Sequence, residues 1–447
     1  MSIAKGFLHT DGNQIVDSSG QNVKLTGVNW FGGEGFVFNP NGMDMRGYWG
    51  MMEQMKELGF NTIRLPWSDA ALDADRATGI DTSKNPDLAN KSPLEVMDKV
   101  IDYAGRIGMK VILDHHRSSD GASANENGLW YDDKYPESKM IENWKMLAER
   151  YKGNDTVIGA DLHNEPHGQA TWGGGDKATD WAWAAERIGN AIQSVNKDWL
   201  LLVEGVEIHE NQWEWWGGNL RGAKDRPIEF DHPDKLVYSV HSYGPSIHEM
   251  EWFKASDYPN NLPGQYTDNW GWLLKDNKAP VLVGEFGGKL ETDQDKAYMA
   301  KLIDYMNGDL DGNGTNDLGA GKEGASWTYW SWNPNSGDTG GILKDDWQTV
   351  DQTKYNAIKE GLFDGGGSPA KAAWSPAKAQ ALALDGGEGD INVLSHTVAQ
   401  PQPVDHGAAA SVEAALAAQT AVELQPADAA HDASALHHDP LDLHTGA

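Results

Sequence analysis

The chain has 447 residues, a length that suits one eight-stranded α/β barrel followed by a tail. Its 36 Lys and Arg against 67 Asp and Glu give a formal charge of −31, which repels phosphate backbones and anionic lipids, so we expect neither nucleic acid nor membrane partners. Cysteine is absent, which excludes disulfides, thiolate metal sites and cysteine nucleophiles.

Short strands are the first elements predicted along the chain. Residues 7–9 and 14–16 flank an Asp11-Gly12 turn and predict a β-hairpin. After it, apolar segments of strand length alternate with amphipathic segments of helix length, a pattern typical of repeated βα units. The eight predicted barrel strands are residues 23–30, 61–67, 110–116, 157–164, 200–204, 236–243, 280–286 and 325–332.

The segments between these strands carry helix signals. Met51, Met52 and Met55 recur at helical spacing before Gly59, and Ser92-Pro93 with Glu95 forms a capping box. Eight βα units within residues 1–363 predict a (β/α)8 TIM barrel with an N-terminal β-hairpin.

Residues 364–447 differ in composition from the rest of the chain. They begin with a glycine-rich linker, continue with many Ala, Asp, His and Pro residues, and predict a flexible linker and a largely disordered tail. Residues 1–6 lack the apolar region of a cleaved signal peptide, and residues 386–390 resemble part of a calcium-binding repeat. We therefore expect an extracellular protein, exported by a C-terminal signal, and a monomer.

The aromatic composition points to carbohydrate. The chain has 20 Trp against 9 Phe, and indole faces stack on the apolar faces of pyranose rings. Trp216, exposed by the glycines that follow it, and Trp30, at the end of the first barrel strand, are the predicted sugar platforms.

Polar residues stand at the carboxyl ends of the predicted strands, where barrel enzymes build their active sites. They are Arg64, His116, Asn164, Glu165, His241, Tyr243, Glu285 and Trp330. Asn164 and Glu165 are adjacent, so a bend at the strand end is needed for both to reach the mouth. Two glutamates across one barrel mouth are what glycoside hydrolysis needs.

Their neighbours distinguish the roles of the two glutamates. Glu165 is predicted to be the acid/base, because Asn164 beside it can hold a sugar 2-hydroxyl, and Glu285 is then the nucleophile. Hydrogen bonds from Arg64 and Tyr243 are expected to keep Glu285 ionised, while the surroundings of Glu165 raise its proton affinity. For a retaining enzyme the two carboxyl groups should lie ~5 to 5.5 Å apart.

Residues 6–363 resemble family 5 glycoside hydrolases of the bacterial endoglucanase type. The resemblance implies a retaining endo-β-1,4-glucanase with Glu165 as acid/base, Glu285 as nucleophile and the other strand-end residues around them, and it favours β-1,4-glucan over mannan or xylan. It rests on the motifs Thr62-Ile63-Arg64, Asp114-His115-His116-Arg117, Asn164-Glu165-Pro166, His241-Ser242-Tyr243, Gly284-Glu285-Phe286 and Trp330-Ser331-Trp332.

Two other signals suggest metals. His163 and His167 have the spacing of a zinc protease motif, but Pro166 breaks the helix that this motif requires, so we expect no catalytic metal and no cofactor. Residues 309–317 match a calcium loop through Asp309, Asp311 and Asn313, yet Ala320 replaces the bidentate glutamate. A solvated turn is favoured there over a structural Ca²⁺.

Three alternative functions remain for comparison. Another β-glycanase, such as a mannanase or a mixed-linkage glucanase, would use the same pair of glutamates. A non-catalytic carbohydrate-binding barrel would not need both of them. An esterase on an α/β-hydrolase fold would need a G-x-S-x-G elbow, which the sequence lacks.

Overall fold

A closed barrel of eight parallel strands forms the centre of the computed structural model, which describes residues 3–363. Strands β3 to β7 and β10 to β12 close the barrel in chain order, while β1 with β2 and β8 with β9 form separate antiparallel hairpins. The strands are β1 (His9–Asp11), β2 (Gln14–Val16), β3 (Thr26–Asn29), β4 (Thr62–Ser68), β5 (Lys110–Arg117), β6 (Val157–Asp161), β7 (Leu200–Glu204), β8 (Ile208–His209), β9 (Gln212–Trp213), β10 (Leu236–Tyr243), β11 (Val281–Gly287) and β12 (Ser326–Tyr329).

Helices surround the barrel and confirm the predicted TIM barrel class. Those in the described residues are α1 (Tyr48–Glu57), α2 (Asp69–Asp73), α3 (Pro93–Ile107), α4 (Glu137–Arg150), α5 (Trp181–Gln193), α6 (Leu262–Tyr266), α7 (Trp272–Lys275), α8 (Asp293–Met306) and α9 (Gln352–Ile358). A π-helical segment, Thr267–Gly271, joins α6 to α7. Both sides of the predicted capping box of α3 are formed by Ser92 and Glu95, and Gly59 follows α1 with φ +95°.

The apolar core has two layers, and their arrangement fixes where a site can form. The larger layer lies between the strands and the helices. A smaller cluster includes Leu200, Leu202 and Leu282 from the barrel strands, together with Leu8 and Ile15 from the N-terminal hairpin region. Full burial of each such side chain stabilises the fold by about 1.5–3 kcal/mol relative to leaving it exposed. Because the hairpin packs against this end of the barrel interior, the polar side chains gather at the opposite end.

Two expectations about larger features have different outcomes. Most tryptophans of the described residues are buried in the core. The excess of indoles is therefore mainly a feature of the core and not of the sugar-binding surface that the composition suggested. Among the described residues, no helix is both long enough and apolar enough to cross a bilayer. The predicted linker, disordered tail and export signal at 364–447 lie outside the described residues.

Candidate active site

Arg64 lies at the centre of the polar end of the barrel. It projects from β4 into the interior and is fully buried. Its Nη1 donates to Glu285 Oε1 at 2.7 Å and to Asn29 Oδ1 at 3.0 Å. Its Nη2 donates to Asn164 Oδ1 at 3.0 Å and to Glu204 Oε1 at 3.2 Å. One guanidinium therefore links strands β3, β7 and β11 to the segment that follows β6, and it holds Glu285 directly.

Glu285 lies on β11, with only 3 % of its surface exposed. Besides the bond from Arg64, its Oε2 accepts a 2.5 Å hydrogen bond from the phenol of Tyr243. Both hydrogen bonds expected for Glu285 are therefore present. Burial nevertheless raises the pKa of Glu285 above its ordinary value, because the opposing charges of His241 and Arg64 offset only part of the desolvation.

Glu165 stands on a bend, and not on a regular strand. Strand β6 ends at Asp161, three residues before the predicted end, and Glu165 has φ +55°. Left-handed backbone costs roughly 1–2 kcal/mol at a residue with a Cβ. The bend brings Asn164 and Glu165 to the barrel mouth together, as the adjacent pair requires. The Glu165 N–H donates to Glu204 Oε2 at 2.7 Å, which holds the bend in place.

His241 connects the two glutamates. Its Nδ1 lies 2.9 Å from Glu165 Oε1 and 3.6 Å from Glu285 Oε2. Burial opposes a charge on His241, but Glu204, Glu285 and the bond to Glu165 outweigh it and raise its pKa well above the ordinary value. An imidazolium therefore faces both carboxylates.

The pKa order expected for the two glutamates is wrong. Burial acts to raise the pKa of Glu165, but the hydrogen bond and charge of His241 outweigh it, so the net pKa is lowered. The pKa of Glu285 is raised instead. At Glu285 burial dominates although His241 and Arg64 both face it, whereas Glu165 also accepts a hydrogen bond from His241, a contact that the sequence does not reveal.

The two carboxyl groups lie close together. One oxygen of Glu165, one of Glu285 and a ring nitrogen of His241 all lie within 4.8 Å of one another. Retaining glycosidases hold their carboxyl groups about 5–5.5 Å apart, whereas inverting enzymes need roughly 6.5–9.5 Å to admit a water molecule. A contact within 4.8 Å between one oxygen of each glutamate agrees with the retaining separation and is shorter than the inverting one.

Asn164 and His116 flank this pair. The Nδ2 of Asn164 is buried and makes no hydrogen bond within residues 3–363, so it offers a donor for a sugar hydroxyl. His116 Nδ1 lies 2.7 Å from Asp114 Oδ2. Burial opposes the charge of His116, but the charge and hydrogen bond of Asp114, with the charges of Glu34 and Glu285, raise its pKa to about 9.

Trp330 provides an aromatic surface beside these groups. Its ring stacks with Phe31 at 5.1 Å between centroids and with His116 at 5.7 Å, and its Nε1 donates to Ser336 Oγ at 3.1 Å. Phe31, Tyr243 and Trp330 form one apolar cluster, which also contacts the half-buried Trp215. The indole is therefore held rigidly next to the glutamates.

The two predicted sugar platforms have different positions. Trp216 is half-buried, stacks on His167 with centroids 3.8 Å apart, and donates from Nε1 to Glu207 Oε1 at 3.3 Å, which fixes its ring. Trp30 is fully buried, and its Nε1 donates to Asn41 O at 2.9 Å. The prediction for Trp30 is wrong because strand alternation turns Asn29 into the barrel and Trp30 toward the helices.

Sequence reasoning missed several residues that complete the site. Asn29 and Glu204 end strands β3 and β7, and both bond Arg64. Side-chain alternation at those two strand ends was the signal available for them. Asp161 accepts from Arg64 Nε at 2.9 Å, and burial raises its pKa well above the ordinary value.

The loop with the calcium-like pattern lies outside this site. Carboxylate oxygens of Asp309, Asp311 and Asp317 come within 4.8 Å of one another. Several of these oxygens are already used within the loop: Asp309 accepts from the N–H groups of Asn313 and Gly314, both at 2.9 Å.

Comparisons with known proteins identify the family. A family model described as cellulase (glycosyl hydrolase family 5) matches residues 16–336. This chain belongs to glycosyl hydrolase family 5. The family 5 chain is 47% identical to the endoglucanase of Paenibacillus polymyxa over 361 residues, which cover 79% of this chain and 86% of that protein. It is 40% identical to the major extracellular endoglucanase of Xanthomonas campestris pv. campestris, covering 77% of this chain and 69% of that protein.

Solved structures agree with the sequence relatives. The family 5 chain matches an endocellulase from Pyrococcus horikoshii with a TM-score of 0.72 and 37% identity, covering 81% of this chain and 100% of that one. It matches the catalytic domain of the Xanthomonas campestris enzyme with a TM-score of 0.72 and 38% identity, covering 80% of this chain and 99% of that one.

Proposed function

We propose that this family 5 chain is a retaining endo-β-1,4-glucanase that cleaves cellulose-like polysaccharide by double displacement. The observation that carries the proposal is the pair formed by Glu165 and Glu285, whose nearest oxygens lie within 4.8 Å. No cofactor takes part in such a reaction. The names of the relatives, endoglucanase and endocellulase, support the choice of β-1,4-glucan.

In the first step, Glu285 attacks the anomeric carbon. A C–O bond forms to its carboxylate while the glycosidic C–O bond breaks, and Glu165 gives a proton to the leaving oxygen. In the second step Glu165 removes a proton from water, which attacks the same carbon and releases Glu285. Two displacements at one carbon retain its configuration.

The surrounding groups support these roles. Arg64 and Tyr243 each donate to Glu285, and both bonds stabilise the carboxylate that attacks. His241 Nδ1 lies 2.9 Å from Glu165 Oε1, so a proton can pass between the two groups along this contact. We infer that Trp330 and Trp216 provide stacking surfaces and that Asn164 Nδ2, which has no hydrogen-bond partner within residues 3–363, donates to the sugar 2-hydroxyl.

Substrate panels and a nucleophile variant test the proposal. We expect wild type to release reducing sugar from carboxymethylcellulose faster than from mannan, xylan or mixed-linkage glucan. Glu285→Gln should lose activity on all of them, whereas Glu142→Gln, on the exposed side of α4, should match wild type. Proton NMR of the first product should show the β-anomer. Comparable activity of Glu285→Gln and wild type, or an α-anomer, would refute the proposed roles.

Two further proposals concern the periphery. We infer that residues 309–317 form a turn stabilised by its own hydrogen bonds, so EDTA should leave the midpoint of thermal unfolding unchanged. A rise of several degrees in this midpoint with Ca²⁺ would contradict this.

We also propose that the protein is extracellular, which the name of the Xanthomonas campestris relative supports. A variant that lacks residues 364–447 should remain inside the cells, and unchanged secretion of this variant would contradict the predicted export signal.

A further inference from the structure

Glu204 is a third glutamate at the barrel mouth to which the proposed chemistry gives no role. It is the last residue of β7 and is fully buried. Its backbone is held from outside the barrel, because Trp181 Nε1 on α5 donates to Glu204 O at 2.8 Å. A buried carboxylate is costly unless it is well paired, so its contacts show what it stabilises.

Each oxygen of Glu204 contacts a different part of the catalytic arrangement. Oε2 accepts the 2.7 Å hydrogen bond from the backbone N–H of Glu165. Oε1 accepts from Arg64 Nη2 at 3.2 Å, and His241 Nε2 lies 3.2 Å from it in an ion pair that lacks hydrogen-bond geometry. Glu204 therefore contacts Glu165 itself and the cations that hold both glutamates.

A neighbouring glycine leaves room for this arrangement. Gly217 has φ +67°, and a Cβ there would lie 2.1 Å from Glu204 Oε2 and 3.2 Å from Glu165 Cα. The Gly217 N–H donates to Pro166 O at 3.3 Å. The loop that carries Trp216 is thus packed directly onto the contact between Glu204 and Glu165.

We infer that Glu204 is a positioning residue, which fixes the bend at Glu165 and the ring of His241 so that the acid/base meets the leaving oxygen. This inference rests on the proposed roles of Glu165 and Glu285. Glu204 itself touches no reacting atom. Its carboxylate accepts from Glu165 while facing two cations, an arrangement that the amide of glutamine cannot reproduce because an NH₂ group would face Arg64.

A leaving-group comparison separates positioning from simple stabilisation. Protonation matters for a β-glucoside with a poorly acidic alkyl leaving group, but hardly for one with a dinitrophenolate leaving group. We expect Glu204→Gln to lower kcat/KM at least roughly tenfold for alkyl cellobiosides and cello-oligosaccharides, and less than about threefold for dinitrophenyl cellobioside. The loss should fall on kcat more than on KM.

Two more variants keep the test decisive. Glu204→Asp retains the charge facing Arg64 but draws the carboxylate away from Glu165, so it should show the same leaving-group dependence even if Glu204→Gln folds poorly. Glu137→Gln removes a glutamate that is paired with Arg187 outside the site, and should affect neither substrate. Equal losses on both substrates in the folded Glu204 variants would overturn the inference.

Failure of the proposed function has a different signature. Glu165→Ala should itself show the leaving-group dependence, and Glu285→Gln should lose both substrates. If Glu165→Ala lacks the dependence, the assignment of the acid/base is wrong. If Glu165→Ala shows it and the folded Glu204 variants do not, only the role of Glu204 is refuted.

Discussion

Removing the phenol hydroxyl of Tyr243 tests how the nucleophile is kept ionised. Tyr243 donates to Glu285 Oε2 at 2.5 Å, and both side chains are buried. A hydrogen bond to a charged group contributes about 1.5–3 kcal/mol. Because the bond favours the carboxylate, its loss in Tyr243→Phe raises the pKa of Glu285 further. Glu285 attacks only when ionised, so the acidic limb of the kcat/KM profile should move to higher pH, by roughly one to two units at 1.36 kcal/mol per unit.

The assay is the pH dependence of kcat/KM with a soluble chromogenic cellobioside, measured alongside thermal unfolding. Tyr238→Phe is the matched control, because this buried tyrosine lies on the same strand, β10, but accepts its 3.0 Å bond from the Ile228 N–H on the helix side. It should leave the acidic limb unchanged. An unmoved limb in folded Tyr243→Phe, or an equal shift in Tyr238→Phe, would refute this account of Glu285.

Three further outcomes follow from other contacts. Trp216→Ala should raise KM for polysaccharide roughly fivefold, about 1 kcal/mol of lost stacking, with kcat little changed; an unchanged KM would remove Trp216 from the substrate path. The pKa of His116 is raised from 6.5 to about 9, so the stability it contributes is complete below pH 6.5 and is lost as the pH rises through 9. The free energy of unfolding of wild type, measured with urea, should therefore fall by up to about 3 kcal/mol across this window, and that of His116→Gln should fall by much less. Ser92→Ala removes the cap of α3 and should cost about 1 kcal/mol in the same assay without changing kcat; no loss would mean that Glu95 alone caps the helix.

The sequence was most informative where local rules and barrel geometry agree. Alternating strand and helix segments, the Ser92 cap and the glycine after α1 each follow from backbone chemistry within a few residues, and all were predicted correctly. Strand ends were harder. Residue 164 was expected to lie on a strand, but β6 ends at Asp161, because the bend needed to present Glu165 begins earlier than Pro166 suggests.

The identities of the central side chains could be predicted, but their electrostatics could not. Arg64, Tyr243 and Glu285 follow from the rule that barrel sites lie at the carboxyl ends of strands. Which carboxylate His241 contacts more closely depends on sub-ångström differences between strands, and here His241 lies nearer to Glu165 than to Glu285. The prediction for Trp30 was wrong for a simpler reason, because side chains one residue apart on a strand point to opposite faces of the sheet.

The charged groups at the barrel mouth act together, so the pKa of each one cannot be explained from a single partner. Six buried or largely buried carboxyl groups surround three cationic groups: Glu34, Asp114, Asp161, Glu165, Glu204 and Glu285 against Arg64, His116 and His241. Full ionisation would leave three negative charges without partners in a region of low dielectric, which is strongly unfavourable. Protons must therefore be shared within this cluster, and burial raises the pKa of Asp161 well above its ordinary value. A proton lost from one member alters the charge balance of the others, so the acid and the nucleophile are set by the whole cluster that Arg64 holds together.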